Sequence, residues 1–193
     1  PVDNPFFDFE AAQASQKLEL SAQQKDAVLA ALNEGALVIT GGPGTGKTTI
    51  IRFITAIMEN MGLSVELTAP TGRAAKRMSD ATGHEARTIH RLLEYIPGEG
   101  FMRDGDDPLL CDMVIVDEMS MVDVPLMHAL LKAVLVGARL IMVGDSDQLP
   151  SVGAGDVLRD VIASGAVRVV RLDEIFRQAQ KSMIVTNAHR INE

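Results

Sequence analysis

Five compact apolar runs punctuate this chain, at residues 37–40, 65–69, 113–117, 139–144 and 167–171, and each leads directly into polar residues. Stretches such as Met113-Val114-Ile115-Val116 and Leu140-Ile141-Met142-Val143 lack the polar alternation of a half-exposed strand. They predict strands covered on both faces, as in a parallel sheet. Between the runs the period changes. Over 48–61 the apolar residues Ile50, Ile51, Ile54, Ile57, Met58 and Met61 recur at helical spacing. Further helices are expected over 72–80, 88–94, 124–135 and 154–163. Strand alternating with helix predicts an α/β three-layer sandwich with a mainly parallel central sheet. In such a fold, ligand chemistry gathers at the carboxyl ends of the strands.

Punctuation divides the rest. Residues 97–108 are dense in Gly, Asp and Pro, and read as an exposed loop or small hairpin inserted near 95–110. Residues 1–19 read as a lead-in from a preceding region, helical over 6–19 with Phe6, Phe7, Phe9 and Leu18 as apolar contacts. A single lobe then occupies 20–193. The helical pattern over 184–193 carries no glycine or proline stop signal, so the chain is expected to continue past its last residue.

Composition narrows the setting. With 193 residues, 47% of them hydrophobic, the chain can bury a full core as one domain. No apolar stretch reaches the roughly 18 residues of a membrane span, and the N-terminus lacks a signal-peptide layout. A lone cysteine, Cys111, cannot form an internal disulfide, which points to a reducing cytoplasm. His84, His90, His128 and His189 have no ligand spacing, so no zinc site is expected. The net charge of −8 argues against tight, non-specific binding to a polyanion. Yet Arg73, Lys76, Arg77, Arg87 and Arg91 crowd a segment whose acids are Asp80 and Glu85. That strip suits an anionic polymer, or an ordinary solvated helix face.

The chemistry concentrates after the first apolar run. Gly41-Gly42-Pro43-Gly44-Thr45-Gly46-Lys47-Thr48-Thr49 fits the phosphate-cradling pattern G-x-x-x-x-G-K-[ST], between a strand and a helix as that pattern requires. Glycines let the backbone close on an anion, and the helix N-terminus attracts it. Lys47 would place a charge on the β- and γ-phosphates, and the Thr48 hydroxyl would ligate Mg²⁺. The chain is expected to bind a nucleoside triphosphate. Asp117 and Glu118 end the third run: Asp117 is placed to hold Mg²⁺ and Glu118 to activate water. Gln148 offers a neutral amide to the γ-phosphate or its attacking water. Arg177 follows the last run, and fits a transition-state guanidinium or a surface ion pair equally well.

Seven ordered segments together resemble a known family. They are Leu20-Ser21-Ala22-Gln23-Gln24, the loop 41–49, Ala69-Pro70-Thr71-Gly72-Arg73-Ala74-Ala75, Thr88-Ile89-His90-Arg91-Leu92-Leu93, Val116-Asp117-Glu118-Met119-Ser120-Met121, Gly144-Asp145-Ser146-Asp147-Gln148-Leu149-Pro150 and Glu174-Ile175-Phe176-Arg177-Gln178. This set is similar to superfamily 1 DNA helicases of the RecD/TraA type, the exonuclease V alpha-subunit family. The resemblance implies a RecA-like P-loop ATPase lobe that uses ATP and Mg²⁺ to move 5′ to 3′ on single-stranded DNA and part duplexes. It implies that Gln24 reads the adenine edge and that Gln148 and Arg177 sense the γ-phosphate. It turns Pro70, Thr71, Arg73, Thr88 and His90 toward the single strand. It also implies DNA repair and recombination as the setting, with nuclease or repair partners.

Such motors close ATP between two RecA-like lobes, and residues 1–193 hold the first alone. A lobe without its partner is expected to bind Mg·ATP weakly, hydrolyse it poorly and unwind nothing. Two rival readings stand beside this one. A small-molecule kinase needs a lid and an acceptor pocket, and a GTPase needs an Asn-Lys-x-Asp segment; neither signature is clear here. A non-catalytic, nucleotide-gated subunit could dispense with catalytic side chains, whereas Lys47, Asp117, Glu118 and Gln148 are all intact.

Overall fold

The computed structural model describes residues 9–16, 18–150 and 152–173. Six strands form one sheet in the order β3-β2-β6-β7-β1-β8. They are β1 (Ala36–Gly41), β2 (Val65–Ala69), β3 (Ala86–Thr88), β6 (Met113–Val116), β7 (Arg139–Gly144) and β8 (Arg168–Leu172). Every pairing in this sheet is parallel. β1 lies between β7 and β8, and β6 stands one strand further over. The carboxyl ends of β1, β7 and β6 are thereby neighbours.

Successive strand residues face opposite sides, and the apolar runs use both. Leu37, Ile39, Ile115, Ile141 and Val143 pack in one core with α2 (Ala22–Asn33) and α3 (Lys47–Asn60). Val38, Val114, Val116, Leu140 and Met142 pack in another with α5 (Ile89–Leu92), α6 (Val124–Ala133) and α7 (Val157–Ser164). The expected α/β three-layer sandwich is the observed one. α1 (Phe9–Gln16) and α4 (Gly72–Thr82) complete the helices, and α4 packs on α3, β2 and β3. None of the described helices is long and apolar enough to cross a membrane.

Two elements differ from the periodicity reading. The stretch expected to be helical over 88–94 is the end of an edge strand and a single helical turn. β3 pairs Leu67 with Ala86 and Ala69 with Thr88, and α5 then ends at Leu93 and Glu94, where Glu94 takes a positive φ of 53°. The Leu93 carbonyl accepts from the backbone N–H groups of Met102 and Arg103. Those bonds draw the chain into a small antiparallel hairpin, β4 (Tyr95–Ile96) and β5 (Gly100–Phe101), rather than another helical turn. The second element is α2, which starts with a capping box: Ser21 accepts from the Gln24 N–H, and Gln24 accepts from the Ser21 N–H.

Candidate nucleotide site and the adjoining strand-end surface

β1 delivers the glycine loop to the head of α3. Gly41 is required by packing: a Cβ there would stand 2.7 Å from Thr45 Oγ1 and 2.8 Å from the Leu172 carbonyl oxygen on β8. Gly44 and Gly46 adopt φ of 79° and 84°, open to glycine and strained for other residues. The Thr45 hydroxyl donates to the Gly42 carbonyl at 2.8 Å and stiffens the bend. α3 has no side-chain cap, because its cap position is Gly46. Its first N–H groups are therefore presented by the loop itself, with the positive end of a 14-residue helix behind them. Lys47 donates its Nζ to the Gly41 carbonyl and, at 2.9 Å, to the Gly42 carbonyl.

Opposite stands the end of β6. Asp117 extends the sheet pairing by donating its N–H to the Thr68 carbonyl at 2.9 Å. Its Oδ1 accepts from the Glu118 N–H at 2.8 Å. Burial pushes the Asp117 carboxyl above its ordinary range and Glu118 adds to this; the Glu118 N–H, Lys47 and Arg77 pull the other way. The sign follows. With its affinity for protons raised by folding, Asp117 makes the fold lose stability as pH rises through that raised value. Asp117→Asn is therefore expected to raise the melting temperature of the nucleotide-free protein at neutral pH by a few degrees, with the gain shrinking in acid. Thermal melts across pH check it; a lower melting temperature at neutral pH would contradict the burial argument.

Glu118 has a left-handed backbone, φ 55°, and opens a short 3₁₀ turn over Met119–Met121. A non-glycine residue seldom adopts this conformation. β7 supplies the third wall. At its end a Cβ on Gly144 would lie 3.0 Å from Leu158 Cδ2 and 3.2 Å from the Met119 nitrogen, so the two loops meet tightly. The Ser120 hydroxyl donates to Gln148 Oε1 at 3.2 Å, which ties Gln148 to the turn after Glu118.

These walls enclose a cleft of about 250 Å³ lined by Pro43, Lys47, Thr48, Ala74, Arg77, Met78, Asp117, Glu118, Gly144, Asp145 and Gln148. A loop ammonium, a hydroxyl, three carboxylates and an amide thus converge from the ends of β1, β6 and β7. The sequence reading assigned no cleft position to Asp145 or to the α4 face of Ala74, Arg77 and Met78. Arg77 pairs with Glu118, Nη2 to Oε1 at 3.1 Å. Gln24 lies outside the lining. Only 2% exposed, it ties α2 to the loop, its Oε1 accepting from the Ser21 N–H at 2.9 Å and its Nε2 donating to the Thr45 carbonyl at 3.3 Å. Arg177 and the helical pattern over 184–193 lie outside the described residues.

A second surface begins where β2 and β3 end side by side. Thr71 caps α4 by accepting from the Ala74 N–H, and Thr88 caps α5 by accepting from the Arg91 N–H. Each hydroxyl keeps its own hydrogen to donate. Pro70 and Arg73 flank Thr71. His90 leads from Thr88 into an aromatic cluster with Tyr95, 5.4 Å away edge-on, and Phe101, 5.6 Å away. Tyr95 and Phe101 were missed in the sequence, which marked this stretch by its turn formers. Their signal was the placement of two rings in a chain that is 4% aromatic.

A family model described as an AAA domain matches residues 19–193. The ATP-dependent RecD2 DNA helicase of Deinococcus radiodurans is 41% identical over 189 residues, covering 98% of this chain and 26% of that protein. The chain belongs to the AAA domain family, and within it resembles the RecD-type helicases. A RecBCD enzyme subunit RecD from Mycobacterium tuberculosis is 43% identical over 169 residues, covering 76% of this chain and 29% of that one. Among solved structures, the Pif1 helicase from Candida albicans superposes with a TM-score of 0.63 at 25% identity, over 88% of this chain and 43% of that one. The RecD-type resemblance carried by the seven segments is correct, and so is the α/β RecA-like fold. The chain spans between a quarter and a third of the length of these curated relatives.

Proposed function

We propose that this chain is the first motor lobe of a DNA helicase, which binds Mg·ATP in the cleft and hydrolyses it as it moves along single-stranded DNA. The observation carrying this reading is convergence. The phosphate-type loop, the Asp117-Glu118 pair and Gln148 line one cleft, and α4, which forms one of its walls, starts at the Thr71 surface.

The residues fit a triphosphate. The uncapped head of α3 offers N–H donors, and Lys47 can exchange two carbonyl contacts for phosphate oxygens without leaving the loop. Thr49 follows in the first helical turn. Among the described residues no group of three or more His, Cys, Asp or Glu could hold a metal unaided. Thr48 and Asp117, both on the cleft lining, would hold Mg²⁺ beside a bound nucleotide, where it would supply neutralisation of phosphate charge. Glu118 is the base that takes the proton of the attacking water. Gln148 donates its NH₂ toward the γ-phosphate, and Arg177 adds a guanidinium there. For Gln24 to read the adenine edge, its amide must release Thr45 or Ser21.

The strand ends suit the DNA. Thr71, Thr88 and Arg73 offer donors to phosphates, with Pro70 beside Thr71 on the same surface. His90 with Tyr95 and Phe101 offers ring faces to unstacked bases, which suits a sequence-tolerant single-strand track. A second RecA-like lobe of the parent chain completes both sites, and without it residues 1–193 turn over slowly and unwind nothing. Polarity from 5′ to 3′, nuclease or repair partners and a cytoplasmic setting belong to the same proposal. It is tested by steady-state ATP hydrolysis of the native chain containing this lobe. Single-stranded DNA is expected to stimulate turnover strongly; hydrolysis indifferent to DNA would favour another P-loop enzyme and return Thr71 to Arg91 to ordinary surface.

A further inference from the structure

The Arg77–Glu118 pair joins the two surfaces and has no role in the reading above. Arg77 stands on α4, on the stripe that also carries Arg73 one turn earlier and Ala74 beside it. That helix is anchored at its start by the Thr71 cap, on the face proposed for DNA. From the far side of the cleft Glu118 meets it at 3.1 Å, with its own backbone held left-handed at φ 55°. The two anchoring strands are neighbours, β2 with β6, and Asp117 is pinned to Thr68 across them. A shift of α4 relative to β6 therefore acts directly on this contact.

We propose that Arg77 is a positioning residue that restrains Glu118, so that ATP turnover is gated by whatever engages the first turn of α4. This rests on the reading of Glu118 as the base. A guanidinium hydrogen-bonded to a carboxylate occupies one of its lone pairs and fixes its direction. The Glu118 carboxylate is thereby held toward α4, with one oxygen engaged by Arg77. The side chains are 65% exposed for Arg77 and 25% for Glu118, so the pair is partly solvated and screened. An exposed pair of this kind contributes a small effect, up to about fivefold in an equilibrium, which is the right size for a contact that must open in every cycle. DNA seated on Thr71 and Arg73 draws α4 outward, frees Glu118 and raises turnover.

The test measures ATP turnover by the native chain containing this lobe, with and without an oligodeoxythymidylate, for wild type, Arg77→Ala and Arg77→Gln. The DNA-free kcat is expected to rise about two- to fivefold in both variants, with KM for ATP unchanged. At saturating DNA the rate stays at the wild-type value, so the stimulation ratio shrinks by the same factor. Against a Glu118→Gln background, Arg77→Ala should leave turnover unchanged, because the side chain it holds can no longer act as a base. If both rates fall together, or the ratio is unchanged, Arg77 does not restrain the base. A wild-type chain that DNA fails to stimulate would instead sink the helicase reading itself.

Discussion

Glu118→Gln will leave nucleotide affinity near the wild-type value and lower ATP turnover by about two to four orders of magnitude, the usual contribution of a positioned general base. The amide keeps the length and shape of the carboxylate, so the 3₁₀ turn over Met119–Met121 and the approach of Gly144 to Met119 are preserved. What disappears is the ability to accept a proton from water. The Arg77 contact weakens but is not lost, since an amide oxygen still accepts a hydrogen bond. The effect should fall on kcat, with the dissociation constant for a non-hydrolysable ATP analogue unchanged. Equal kcat in the variant and the wild type would remove Glu118 from the base role and turn attention to Asp145, the other carboxylate at the cleft without a part in metal binding.

Lys47→Ala acts earlier, on binding. Lys47 sits at the first position of α3 and already donates to two loop carbonyls, Gly41 and Gly42. Truncation removes the loop's ammonium and leaves those carbonyls to water, so the loop should hold its shape through Thr45 and Gly41 while losing charge. A charge-assisted hydrogen bond contributes about 1.5–3 kcal/mol, so ATP affinity is expected to drop by roughly ten- to a hundredfold. Calorimetric titration with ATP in the presence of Mg²⁺ checks this. The contrast between the two variants is the informative part: one loses chemistry with binding intact, the other loses binding first. Affinity for ATP equal to wild type in Lys47→Ala would mean that the α3 N–H groups alone hold the phosphates.

Both variants address residues that were legible in the sequence, for a physical reason. The loop 41–49 and the Asp117-Glu118 pair are local: a strand end, a turn and a helix start fix them, and neighbours in the chain are neighbours in space. The apolar runs were legible because most of them bury residues on both faces, as Met113–Val116 does throughout its length. β3 was not, because Ala86-Arg87-Thr88 is an edge segment of three residues with no apolar run, held in place by pairing with β2. α5 was overread for the complementary reason. Its helical spacing is real, but the Leu93 carbonyl is claimed by the hairpin after one turn.

Contacts set by tertiary packing were the least legible. Arg77 and Glu118 lie 41 residues apart, and a charge pattern along the chain gave no means of pairing them. Gln24 was noticed for its family position, while its structural work is visible only once the glycine loop lies beside α2 and the Thr45 carbonyl comes within reach. The ring cluster of His90, Tyr95 and Phe101 likewise depends on the hairpin folding back on α5.

The closeness of Gly41 to Leu172 has a mechanical side. Gly41 is paired with Leu172 in the β1–β8 ladder, and a side chain there would stand less than 3 Å from the β8 backbone, so the glycine loop begins directly against that strand. A second clasp lies at the end of the same strand, where the Asp173 N–H donates to Gln23 Oε1 at 3.1 Å and Asp173 Oδ1 accepts from Gln23 Nε2 at 2.6 Å. The end of β8 is therefore tied at two points, to the floor of the glycine loop and to the first turn of α2. The fold has a taut thread here where a hinge could have been.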